Sequence, residues 1–166
     1  LYPIYLPDIV ENYEGWNSSI VIRNNSDSET AQVNTTFFRY DGAWVHGQKT
    51  DYLAPESSVI VDFPGYCYYC RGSAIVSASQ DVPVVMKQVR VSGSFASGAY
   101  VGVSWPGTEV HIPVLHKNHN GWQSQLYVQN AGTTSTDLTV EYKARTGSNC
   151  TQTYYNVPPS ATRIID

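Results

Sequence analysis

The chain has 166 residues, a formal net charge of −4, 42% hydrophobic and 14% charged residues, and 13 tyrosines. That length buries a core without metals or staples, and low charge with many aromatics excludes a disordered chain. There is no Lys/Arg cluster to track a phosphate backbone, and no apolar run approaches the roughly 18 residues of a membrane helix, so neither nucleic acid nor membrane insertion is expected. The chain starts at Leu1, carries no signal peptide and reads as a processed or excised piece of a longer precursor.

A proline-containing lead-in, residues 5–18, opens the chain. Behind it, short runs rich in Val, Ile, Thr, Tyr and Phe alternate with Gly, Pro, Asn, Asp and Ser. They predict strands at Ser19–Arg23, Gln32–Tyr40, Ala43–Thr50, Ser57–Phe63, Ser73–Ala78, Val84–Val91 and Ala99–Ser104. Asp41-Gly42 supplies the positive φ of a tight hairpin turn, so the strands on either side should pair antiparallel. In Gln32–Tyr40 the side chains alternate. Val33, Thr35 and Phe37 suit an interior, while Gln32, Asn34, Thr36 and Phe38 face outward, with Phe38 exposed or touching something beyond the domain. Short strands at this spacing predict an all-β fold: an Ig-like antiparallel β-sandwich over residues 1–110.

Residues 111–166 repeat the start of the chain. Residues 5–24 align with 111–130 at an offset of 106, with six identities: Pro7/Pro113, Asn12/Asn118, Gly15/Gly121, Trp16/Trp122, Ser18/Ser124 and Asn24/Asn130. With one gap, Val33, Thr35 and Phe37 meet Leu138, Val140 and Tyr142, and residues 55–62 meet 159–166. The second copy therefore holds only the first half of the module, without counterparts of residues 73–104. Half a sandwich leaves an apolar face and open strand edges in water. It is expected to belong to a longer tandem array, to borrow strands from a neighbouring chain, or to close differently. Head-to-tail borrowing between copies of the chain would build a filament. Pro7 and Trp16, with Pro113 and Trp122, are the expected joint residues, the prolines stiffening the connector.

The lead-ins Tyr-Leu-Pro and His-Ile-Pro, the Asn-x-x-Gly-Trp-x-Ser motif at Asn12 and Asn118, the apolar strands ending at Asn24 and Asn130, and the later Pro-x-x-x-x-Ile-x-Asp form a recurring set. The set resembles tandem β-sandwich repeats of large secreted bacterial surface proteins, notably in filamentous Chloroflexota. The resemblance covers most of the chain. It implies an extracellular structural or adhesive role and carries over no catalytic residue.

Four sequons, at Asn17, Asn24, Asn34 and Asn149, are candidate sites for covalent glycans. Cys67-Tyr-Tyr-Cys70 lacks the βαβ context of a redox motif and the second pair of a zinc site, so a local disulfide between Cys67 and Cys70 is expected, with Cys150 left over. His111, His116 and His119 align with Tyr5, Val10 and Tyr13, which argues against a metal site. No nucleophile-elbow, zincin or phosphate-loop motif appears, and Glu11 and Glu14, a conceivable glycosidase pair, align with Lys117 and Asn120. The expectation is a non-enzymatic extracellular protein with no cofactor and no metal. Its partners are copies of itself, and it forms a glycosylated fibre, sheath or adhesin stalk. The alternative is a carbohydrate-binding module with Trp44, Tyr68 and Tyr69 as the sugar platform, since exposed aromatic rings stack on sugars.

Overall fold

The structure is a computed structural model. It describes residues 3–62, 69–93, 95–117, 120–121, 123–144 and 147–166, and only the backbone of residues 44–47. Twelve strands and no helix occur among the described residues. The first eight are β1 (Ile4–Glu11), β2 (Trp16–Arg23), β3 (Ala31–Arg39), β4 (Trp44–Leu53), β5 (Ser58–Asp62), β6 (Cys70–Ala78), β7 (Val84–Arg90) and β8 (Ala96–Val101). They form two four-stranded sheets, β1-β6-β3-β4 and β5-β2-β7-β8, with every pairing antiparallel.

The two sheets face each other across one core. Leu6, Ile20, Ile22, Val33, Phe37, Val61, Ala74, Val76, Val84 and Met86 are all buried in it. In β3 the alternation holds as expected: Val33, Thr35 and Phe37 are buried, and their neighbours are not. The architecture is the expected sandwich. Its strand order is not that of an immunoglobulin domain, where the first strand lies in one sheet with the second and fifth. Here β1 lies at the sheet edge beside β6, and β2 lies between β5 and β7.

All seven predicted strands are present. β1 is a strand beyond the seven predicted. Its apolar alternation breaks at Pro7-Asp8, where the β1–β6 register shifts between Leu6 and Ile9. A bulge is where a strand tolerates proline, which has no N–H for the ladder. The β3–β4 hairpin is also wider than a two-residue turn. Gly42 N–H donates to Arg39 O, Ala43 N–H donates to Asp41 Oδ1, and only Gly42 of that pair takes positive φ, at 85°.

Four strands follow: β9 (Leu126–Gln129), β10 (Thr136–Tyr142), β11 (Cys150–Val157) and β12 (Thr162–Ile165). They form two antiparallel pairs, β9 with β12 and β10 with β11. Local geometry of the sandwich recurs here at the aligned positions. Val10 N–H donates to Ser18 Oγ at 2.8 Å, and His116 N–H donates to Ser124 Oγ at 2.9 Å. Asn24 N–H donates to Ser57 O and Asn130 N–H to Ala161 O, both at 2.9 Å. Asn24 Nδ2 reaches Leu53 O, and Asn130 Nδ2 reaches Val157 O. Positive φ recurs at Glu14 and Asn120, Gly15 and Gly121, and Glu56 and Ser160.

Candidate functional site

Two features of the fold stand apart from core packing: the contact between the sandwich and the C-terminal strands, and the open side of those strands. The contact lies on the outer face of the β1-β6-β3 sheet. At the β1 bulge, Asp8 is 5% exposed yet ionisable. Arg71 of β6 answers it, with Nε donating to Oδ1 at 2.7 Å. Gln88 Nε2 donates to Oδ2 at 2.9 Å, and the Tyr100 hydroxyl donates to the Asp8 carbonyl at 2.7 Å. A carboxylate so deeply placed is tolerated only when paired and hydrogen-bonded in this way.

Arg71 also reaches across to the C-terminal strands. Its guanidinium lies 4.6 Å from the ring centroid of Tyr127 on β9 and donates to the Tyr127 hydroxyl. Burial alone lowers the Arg71 pKa, but the hydrogen bond and charge of Asp8 outweigh it and hold the pKa above its ordinary value. Tyr100 and Tyr127 are both raised, first by burial and further by the charge of Asp8. Four more contacts pin the joint. Tyr5 Oη donates to Ala131 O, Ser73 Oγ donates to Ser160 O at 2.8 Å, and Thr162 N–H donates to Tyr40 O at 3.0 Å. A Cβ on Gly42 would stand 2.5 Å from Pro159 O, so the turn and the β11–β12 loop touch backbone to backbone. Phe38 is in register with Ser73, which puts it beside this contact and accounts for its half-buried state.

The open side belongs to β9, β10 and the segment ahead of them. Among the described residues, β9 has one hydrogen-bonded neighbour, β12, and β10 has one, β11. Residues 110–117 align with β1 but form no strand. Leu6, Ile9 and Val10 of β1 are buried, Leu6 and Ile9 in the core between the two sheets, whereas Val110 (75%), Ile112 (46%), Val114 (62%) and Leu115 (39%) are exposed.

The predicted site residues fall as follows. Pro7 is at the bulge, next to Asp8 of the joint, and Pro113 is exposed. Trp16 begins β2 opposite Arg90, in the sheet remote from the joint, so the contacts that fix the joint come from other residues. Trp122, Cys67, Tyr68 and His119 lie outside the described residues, as does the side chain of Trp44. Tyr69 is 58% exposed, with its ring 5.5 Å from that of Tyr13. Cys70 is disulfide-bonded, and Cys150 is a free, exposed thiol. His111 lies 3.5 Å from Glu109, and no group of three metal-ligating side chains occurs among the described residues.

The sequons divide. Asn149 is exposed, and Asn17 and Asn34 are half-buried. Each accepts a hydrogen bond through Oδ1, and Nδ2, the atom that carries a glycan, has no partner among the described residues. Asn24 is different, and the expectation of a glycan there is corrected. It is 0% exposed, and its Nδ2 donates to Glu29 O, Leu53 O and Ala54 O at 2.7, 3.1 and 3.2 Å. Its Oδ1 accepts Ser26 N–H at 3.0 Å. This side chain braces the β2–β3 loop against the end of β4, and a sugar on Nδ2 has no room in the folded chain.

No family model matches the chain, and no curated protein matches it. Among solved structures, the chain is similar to protein 1070 of Thermotoga maritima, known from a crystal structure. The TM-score is 0.54 at 19% identity, over 64% of this chain and 97% of that one. At that identity the likeness bears on the all-β sandwich fold alone.

Proposed function

We propose that the protein is a non-enzymatic structural protein of the cell exterior, a subunit of a glycosylated fibre, sheath or adhesin stalk. Residues 111–166 are a second copy of the module's first part, from β1 through β5. A strand from a neighbouring subunit completes it, so that subunits join head to tail. The observation that carries this reading is the open side: among the described residues β9 and β10 each have one hydrogen-bonded neighbour, and the apolar residues of 110–117, which have the β1 pattern, are exposed. Soluble proteins blunt such edges with charge, proline or a cover, and an uncovered edge is a template for pairing. The joint supports the reading as well, because it fixes one copy on the other through charged, aromatic and backbone contacts rather than a bare linker. Asn17, Asn34 and Asn149 are the proposed glycan carriers.

The test is electron microscopy of the natively purified protein at side-chain resolution, with glycopeptide mass spectrometry. Filaments in which a neighbour's strand lies beside β10 are the expected result. Isolated particles with the second copy closed on itself would overturn it. Trp105 favours the second reading, a carbohydrate-binding module. It is 71% exposed beside a shallow cleft lined by Gln80, Asp81 and Ser104, a pairing of flat ring and polar groups suited to a sugar. Saturable glycan binding lost in Trp105→Ala would move the assignment there.

A further inference from the structure

On the outer face of the β5-β2-β7-β8 sheet, one row departs from the usual pattern of apolar side chains inside and polar ones outside. Ile20, Ile22, Val61, Val84 and Met86 point into the core, so their neighbours along each strand point out. The registers place four of those neighbours in a line: Ile60 of β5 opposite Val21, Val21 opposite Val85, and Val85 opposite Val101 of β8. An apolar, β-branched row thus crosses the sheet from edge to edge. Cross-strand packing covers its middle, but Ile60 and Val101 at its ends are 61% and 69% exposed, and Val85 is 37% exposed. The contacts that fix the C-terminal strands lie on the other sheet.

The next row carries charge of both signs. Asp62 is opposite Ser19, Ser19 opposite Lys87, and Lys87 opposite Ala99. Asp62 Oδ1 accepts the Ser19 hydroxyl at 2.8 Å. Neither Asp62 nor Lys87 belongs to an ion pair among the described residues, and two strand spacings, about 10 Å, hold them apart. These two rows are complementary to themselves when reversed. Let two copies meet by this face about a two-fold axis that runs along the strands between β2 and β7. Ile60 then meets the second copy's Val101, and Val21 meets its Val85. Lys87 meets the second copy's Ser19 and stands one strand, about 5 Å, from its Asp62, a gap that the lysine stem spans. Sheets packed in this way lie about 10 Å apart with their strands within about 30° of each other.

We propose that this face pairs with the same face of a second copy of the chain. The product is a two-fold dimer with the β-branched row at its centre and two Lys87–Asp62 ion pairs beside it. The contact is isologous, so it closes on itself and does not propagate. It goes beyond the head-to-tail reading, because it uses neither 110–117 nor β10 and joins chains side by side. Four strands and three residue rows cover about 400 Å² on each copy. The total of about 800 Å² falls short of a permanent complex, so the dimer is weak and reversible. Asn17 stands on the same face, about 13 Å along β2 from Val21. A glycan there would hold the two faces apart, so the pairing and a sugar on Asn17 exclude each other.

The experiment is sedimentation equilibrium of the full 166-residue chain, bare at Asn17, from about 10 μM to about 1 mM. A reversible monomer–dimer equilibrium is expected. In NMR spectra the methyl signals of Val21, Ile60, Val85 and Val101 should shift with concentration, while those of Ile22 and Val61 stay in place. Val85→Lys should weaken the dimer at least tenfold. Lys87→Glu sets two carboxylates against each other and should do the same, and adding Asp62→Lys should restore the affinity to within about threefold of the parent. These positions all lie outside the core, and the NMR test needs no variant. A monomer at every concentration, an association that Val85→Lys leaves unchanged, no rescue by the double variant, or shifts confined to other residues would overturn the inference. Head-to-tail filaments survive Val85→Lys and this dimer does not, so the two readings fail separately.

Discussion

Replacing Asn24 by alanine is expected to cost about 3 kcal/mol of stability, although a sequence scan marks this residue as a surface acceptor. The estimate follows from its bonds. Two Nδ2 hydrogens serve three carbonyls, and Oδ1 takes the Ser26 amide. A net gain of about 1 kcal/mol per bond, with a further cost where a carbonyl is left buried and unpaired, gives that sum. Leu53 O is such a carbonyl, because the bond to it is buried. For a sandwich of about 100 residues, the loss amounts to a fall in Tm of about 15 °C. Asn130→Ala removes the corresponding bonds to Thr134 O and Val157 O, but in partly exposed surroundings where water replaces them. Its cost should stay near 1 kcal/mol. Urea unfolding of the two variants and the parent makes the comparison. An Asn24→Ala midpoint within error of the parent would refute the brace, and so would a glycopeptide carrying sugar on Asn24.

Arg71→Met leaves the Asp8 carboxylate, its side chain 7% exposed, with Gln88 as its main partner. The loss should be about 3 kcal/mol by urea unfolding, and adding Asp8→Asn should recover part of it. Tyr100 and Tyr127 keep their protons above the pH at which a free phenol ionises, so the folded chain binds more protons than the unfolded one there. Stability should therefore be complete below about pH 10 and fall above it, with a shallower fall in Tyr100→Phe; unfolding midpoints measured across that range decide this. Gly42→Ala combines a φ of 85° with a clash at Pro159 O, whereas Gly121→Ala at φ 79° meets no atom of the described residues within 4 Å. Both should lose about 1 kcal/mol to backbone strain, but only the first should speed amide exchange over 158–162. The exposed Cys150 should react with a thiol reagent in the folded protein, and Cys150→Ser should abolish that signal.

Seven strands and the core face of β3 were legible because alternation is a local property, carried by residues two apart. β1 was not, because Pro7, Asp8 and Glu11 interrupt the pattern, and the strand is held by β6 some seventy residues later. The sequon at Asn24 shows the same limit from the other side. Asn-Asn-Ser is the same string whether the asparagine faces water or three carbonyls, and two of those carbonyls lie about thirty residues away. The residues that fix the contact were hidden for a related reason. Trp16 is distinctive and repeated, while Arg71 and Tyr127 look like ordinary surface residues until the fold stacks one on the other.

Tyr5 and Val103 exchange two backbone hydrogen bonds, each of 2.9 Å, as an antiparallel pair. The chain therefore comes into the sandwich and leaves it side by side, at one end. Tension applied through the two ends loads that pair by peeling rather than by sliding, so its bonds part in turn instead of sharing the load. The polypeptide of the sandwich is thus held in reserve behind a latch that opens before the core does.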